Sequence, residues 1–210
     1  MFRKKPLPKI AILISGRGSN MRAILEKIKK NKLPVEPVLV FSDKKNAEGL
    51  RVAQSYGVSV ASFSPKEHPS FEAYENALVD LLESKGVELV VCAGYMRILK
   101  TTILRRYKNR ILNIHPAILP SFPGLKAQQQ ALDYGVTWTG CTVHFVDEGV
   151  DTGPIIAQRP VKIEPDDTEN SLALRIIKAE HDLYWRAVAE VVKGYEIRGR
   201  RVILKSGTLL

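Results

Sequence analysis

Through the first 115 residues, short apolar runs alternate with amphipathic stretches, and this alternation leaves few folds open. Lys9 to Ser15 (KIAILIS) lies between Pro8 and Gly16 and reads as a fully buried strand. A helical pattern of Met21, Ile24, Leu25 and Ile28 follows. Val35 to Phe41 is a second strand, and Ala47 to Tyr56 a helix stopped by Gly57. Val58 to Phe63 is a third strand, and Pro69 to Lys85 a longer helix stopped by Gly86. Leu89 to Ala93 is a fourth strand, a short helical stretch ends at Tyr107, and Ile111 to His115 is the fifth strand. Strands and helices alternating at these lengths predict an α/β fold with a doubly wound, mostly parallel, Rossmann-like sheet.

The second half reads differently. Lys126 to Tyr134 is a helix, Thr139 to Val146 and Pro154 to Pro160 are mixed strands, and Thr168 to Lys193 is a long helix. With no repeat or linker, residues 1–210 are expected to form a single domain. Within it we expect a flexible arm at 1–8, a nucleotide-type half at 9–112, a catalytic half at 113–193 and a terminal hairpin within 194–210.

The net charge of +10 is compatible with nucleic acid or with a polyanionic small substrate. Most of the basic residues are scattered rather than striped, which reads as a solvated face. Cys92 and Cys141 sit inside apolar runs without metal-ligand spacing, so reduced structural thiols in a cytoplasmic protein are expected, and no metal. No targeting segment or membrane span is expected, because the run from Ile10 to Ile14 is too short.

Gly16-Arg17-Gly18-Ser19-Asn20 joins a strand to a helix, where unpaired N–H groups point at any anion placed before them. No Gly-Lys-Ser/Thr follows, and Met21 stands where a dinucleotide fingerprint needs its third glycine. Asp43, ending the second strand, is the one residue that speaks for a nicotinamide site. A tight turn capped by Ser19 or Asn20 is the structural alternative.

Asn113-Ile114-His115-Pro116 closes the fifth strand. Alternation puts Asn113 and His115 on one face, and Pro116 ends the ladder. An imidazole and an amide at a rigid strand end suit proton transfer and oxyanion stabilisation. Asp151, in the acidic loop from Asp147 to Gly153, is the expected partner that holds the ring and favours its charged form. Without a Ser or Cys nucleophile nearby, this set suggests direct transfer. His144 is expected to support the site; His68 and His181 are expected to be surface or helix residues.

Taken together, Ser15-Gly16-Arg17-Gly18-Ser19-Asn20, Ala93 to Leu99, Asn113-Ile114-His115-Pro116, Val143-His144-Phe145 and Asp151-Thr152-Gly153-Pro154 closely resemble the folate-dependent formyltransferases. The likeness covers about Lys9 to Lys193, and the first of these motifs narrows it to the branch acting on glycinamide ribonucleotide and a related hydrolase. The resemblance implies formyl transfer from 10-formyltetrahydrofolate to the primary amine of that ribonucleotide, in purine biosynthesis, through a tetrahedral oxyanion. It implies Asn113, His115 and Asp151 as catalytic residues. Gly18, Ser19 and Asn20 would bind the substrate phosphate and Glu180 the ribose. Met96, Arg97, Ile98 and Leu99, with Asp147, Glu148, Gly149, Val150 and Asp151, would form the folate pocket. Phe71 stands where many relatives carry a basic phosphate contact, with Lys66 or His68 as possible substitutes. A histidine-containing segment common after Gly124 is replaced here by Leu125-Lys126-Ala127-Gln128.

The expected partners are therefore small molecules, with no nucleic acid and no membrane, in a monomer or homodimer. Three alternatives make different demands. A formyltetrahydrofolate hydrolase would carry an N-terminal regulatory domain, and a methionyl-tRNA formyltransferase a C-terminal RNA-binding domain. A non-catalytic nucleotide-binding module would bind phosphate without turnover.

Overall fold

The computed structural model describes residues 6–207. Of the expected arm, residues 1–5 lie outside the described residues, as do residues 208–210 of the terminal segment. The strands are β1 (Lys9–Ile14), β2 (Glu36–Ser42), β3 (Val60–Ser62), β4 (Leu89–Cys92), β5 (Ile111–His115), β6 (Trp138–Phe145), β7 (Ile155–Lys162), β8 (Tyr195–Arg198) and β9 (Arg201–Leu204). The helices are α1 (Ser19–Lys29), α2 (Glu48–Ser55), α3 (Phe71–Ser84), α4 (Thr101–Arg106), α5 (Ala127–Tyr134) and α6 (Glu169–Lys193).

Among the described residues the nine strands form one sheet in the order β3-β2-β1-β4-β5-β6-β7-β9-β8. The first five are mutually parallel; β6 is antiparallel to β5 and to β7. The chain therefore winds outward from β1 to β3, then crosses back to β4 on the other side of β1. The connections leaving β1 and β4 diverge at this reversal, and a crevice opens at their carboxyl ends.

Two apolar layers sandwich the sheet. Ile10, Ile12 and Ile14 of β1 point to one layer with Leu112 and Ile114 of β5, packed against α1, α2 and α6. Ala11 and Leu13 point to the other, against Tyr74, Leu78 and Leu82 of α3 and Ile103 of α4. Each fully buried aliphatic side chain of this kind contributes roughly 1.5–3 kcal/mol. α6 begins at a capping box in which the Thr168 hydroxyl accepts from Ser171 N at 3.2 Å. Its buried stripe runs through Leu172, Ile176, Leu183, Tyr184, Ala187 and Val188, with Glu180 on the same stripe.

The third strand is shorter than its apolar run, because Val58 N bonds back to Ala53 O at the end of α2. A 3-10 turn at Pro65–Glu67, closed by a Ser64/Glu67 capping box, is an element the periodicity did not signal. Among the described residues, no helix is long and apolar enough to cross a membrane, and no cluster of metal-ligating side chains occurs.

Candidate active site

β5 lies between β4 and β6, with Asn113 opposite His144 and His115 opposite Thr142. Its alternate residues Leu112 and Ile114 enter the core, which turns Asn113 and His115 to the other face. Both line a cleft of about 430 Å³ at the carboxyl ends of β4 and β5.

Beyond Pro116 the chain is fastened to the sheet. The Thr142 hydroxyl donates to Ala117 O at 2.7 Å and accepts from Leu119 N at 3.0 Å, while Gln158 Nε2 donates to Leu119 O at 2.8 Å. These ties fix the segment leading to Phe122, whose carbonyl accepts from His115 Nε2 at 2.8 Å. Because a carbonyl only accepts, that nitrogen carries a proton.

Asp151 approaches from the loop after β6. Its Oδ2 lies 3.1 Å from His115 Nδ1 and accepts from Gly124 N at 2.8 Å. Its Oδ1 lies 3.5 Å from His144 Nε2. Asp151 adopts a left-handed φ of 55°, uncommon for a residue with a side chain. Gly153 sits where a Cβ would lie 1.7 Å from Phe145 O, so only glycine lets the loop return to β7 so closely.

His115 thus has an oxygen facing each ring nitrogen, and the protonated ring satisfies both. Burial opposes that charge and outweighs the Asp151 carboxylate and the Phe122 carbonyl, holding the His115 pKa below its ordinary value. The expectation that the carboxylate favours the charged form needs correction in its net outcome: Asp151 pulls in that direction, but desolvation is larger. Burial pushes the Asp151 carboxyl up, yet His144, the Gly124 N–H and His115 together hold it below its ordinary value.

His144 donates through Nδ1 to Phe145 O at 2.9 Å, and its Nε2 faces Asn113. Asn113 Nδ2 lies 3.2 Å from that nitrogen and donates to it. One amide hydrogen is used there, and the second remains for the cleft.

The remaining cleft wall is mostly apolar. Met96 and Ile98 are 65% and 63% exposed and line it with Arg97, Leu99, Gly149 and Val150. Asp147 also lines it and accepts within its own loop from Thr152 Oγ1 at 2.6 Å. Glu148 is exposed and is not among the lining residues.

The loop after β1 lies beside this cleft rather than in its lining. Gly18, at φ 70°, is the N-cap of α1 and no side chain caps it, so neither Ser19 nor Asn20 plays that part. A Cβ on Gly18 would stand 3.3 Å from Gly49 Cα. Asn20 instead donates through Nδ2 to Glu180 Oε2 at 2.8 Å, leaving its own Oδ1 buried and unpartnered. Burial pushes the Glu180 carboxyl up to about 7, against the Asn20 hydrogen bond. Asp43 is committed to Ser15 and Arg97, which removes it from any nicotinamide role.

His68 is half-buried and packs against Phe63 and Tyr74, while His181 lies in α6 as a helix residue, half-buried near Arg22 and Glu26. Lys66 is exposed, and it is Lys100 that sits over the Phe71 ring, 4.8 Å from its centroid.

The formyl transferase family matches residues 8–188. A phosphoribosylglycinamide formyltransferase of Bacillus subtilis is 39% identical over 93% of this chain and all of its own length. A trifunctional purine biosynthetic protein of Drosophila pseudoobscura is 45% identical over 90% of this chain, which spans 14% of that protein. The crystal structure of a glycinamide ribonucleotide transformylase from Symbiobacterium toebii superposes with a TM-score of 0.94 at 43% identity, covering 97% of each chain. The chain belongs to the formyl transferase family, and the relatives that match it along their whole length are phosphoribosylglycinamide formyltransferases.

Proposed function

We infer that this protein is a phosphoribosylglycinamide formyltransferase, moving a formyl group from 10-formyltetrahydrofolate to the primary amine of glycinamide ribonucleotide. The observation that carries the reading is the convergence of Asn113, His115 and Asp151 on one cleft at the sheet reversal. The names of the full-length relatives support the substrate.

The cleft fits a folate. It is mostly apolar, its volume suits a flat ring system, and Met96 to Leu99 with Gly149 and Val150 supply its walls. The uncapped N–H groups around Gly18, Ser19 and Asn20 suit a phosphate, and Glu180 with Asn20 suits ribose hydroxyls. Both ligands are anionic, which gives the positive charge a use without nucleic acid. Lys66, His68 or Lys100 would supply the further basic contact.

In the transfer, a C–N bond forms between the amine and the formyl carbon, and the bond to the donor nitrogen breaks. The amine loses one proton and the leaving nitrogen gains one, with no change in oxidation state. The free Asn113 N–H and protonated His115 stabilise the oxyanion between these two events. Asp151 steadies His115 and shares the proton in transit. No nucleophilic side chain is needed. The free, buried thiols of Cys92 and Cys141 fit a reducing cytoplasm.

The test is a transfer assay with glycinamide ribonucleotide, against water alone and tRNA as acceptors. Turnover only with the ribonucleotide is the expected result; equal folate release with water alone would instead assign a hydrolase.

A further inference from the structure

The loop after β1 and the loop after β4 would hold different ligands in the reading above, and a buried junction joins them. Ser15, one residue before Gly16, accepts Met96 N through its hydroxyl at 2.8 Å. The same hydroxyl donates to Asp43 Oδ1 at 2.6 Å. The other carboxylate oxygen, Oδ2, accepts from Arg97 Nε at 2.8 Å. Asp43 is 2% exposed, so water screens its bond to Ser15 poorly, while the Arg97 side chain on its other oxygen is partly exposed. Ser15 N also bonds Gly94 O, and Gly49 N bonds Gly16 O, so the junction continues into both loops through the backbone.

A single carboxylate, one residue beyond β2, therefore holds Arg97 directly and, through Ser15, both the entry to the phosphate loop and Met96 in the folate wall. Neither Asp43 nor Ser15 lines the cleft. Holding Met96 and Arg97 would not by itself require a buried acid; a solvent-exposed turn could do it. What the arrangement adds is a shared part: ordering one loop orders Ser15, and Ser15 reaches the other loop in one hydrogen bond.

We propose that Asp43 and Ser15 are positioning residues that couple the two ligand sites, so that occupancy of either loop tightens binding at the other. The inference rests on the assignment of the two ligands above. Coupling of this kind is reciprocal and commonly amounts to about 5–150-fold in affinity, and a continuous hydrogen-bonded path becomes a coupling path only when the coupling itself is measured.

The experiment is calorimetric titration of glycinamide ribonucleotide into the full chain, alone and with saturating tetrahydrofolate, which gives no turnover. The wild-type Kd is expected to fall at least about five-fold when tetrahydrofolate is present. In Asp43→Asn, which keeps the shape but releases Arg97, that ratio is expected to fall to within about two-fold of one. Ser15→Ala, which cuts the link to Met96 while keeping the Asp43–Arg97 pair, is expected to do the same and serves if the first variant does not fold. A merely structural role would weaken both ligands in parallel and leave the ratio untouched; that result, or a wild-type ratio of one, overturns the proposal. Wild-type protein that binds neither ligand overturns the assigned reaction itself.

Discussion

His115 Nδ1 and Asp151 Oδ2 lie 3.1 Å apart, and the second ring nitrogen of His115 is fastened to the Phe122 carbonyl at 2.8 Å. The ring cannot turn without losing one of the two. Its orientation is therefore set by a β5 backbone, a fastened loop and a carboxylate from a third segment. Burial opposes the charged form and holds the His115 pKa below its ordinary value, against the pull of Asp151.

Asn113 offers the one amide donor that needs no change of protonation. Replacing it with Ala is expected to lower kcat by about 10²–10³ while leaving the fold intact, since removal of one preorganised oxyanion donor has that effect. Single-turnover kinetics with both substrates bound, alongside circular dichroism, checks this.

Glu180 makes a different, thermodynamic prediction. Its folded pKa of about 7 exceeds its ordinary 4.5, so between these values the folded chain binds more protons than the unfolded one. Its contribution to stability is full below the lower value and is lost as pH rises through the upper one. Glu180→Gln removes that loss. Relative to the variant, the wild type should lose on the order of 3 kcal/mol between pH 4 and 8, read by urea unfolding across that range. Parallel pH profiles for the two proteins would contradict the assigned environment.

Thr142 ties Ala117 and Leu119 to the sheet without touching the cleft. Thr142→Val keeps the volume and leaves a buried carbonyl and N–H short of a partner. A loss of about 1–3 kcal/mol in stability is expected. With it, a drop in kcat larger than any rise in KM should follow, because Phe122 and hence His115 lose their anchor. Chemical denaturation and steady-state kinetics on one preparation separate the two effects.

The parts that rest on local chemistry were readable in the residues. β5 begins and ends where its apolar run meets Arg110 and Pro116, and strand alternation alone puts Asn113 and His115 side by side. The burial of Glu180 is legible too: it sits on the apolar stripe of α6, between Ile176 and Leu183, where a carboxylate must be buried. The Asp43 junction had none. Its partners are 28 and 54 residues away, and only the stacking of β2, β1 and β4 brings them together. The net pKa direction of His115 was hidden for the same reason. A carboxylate partner can be guessed from a motif, but desolvation depends on every element packed around the ring.

The central claim is that Asp151 tunes His115, and Asp151→Asn tests it most directly. Asp151 is the largest influence raising the His115 pKa, so losing its charge should move that pKa further down. The midpoint of the His115 titration, followed by NMR and in the pH–rate profile, should shift to lower pH, with kcat/KM reduced at least about ten-fold at neutral pH. An unchanged midpoint together with an unchanged rate would contradict the account.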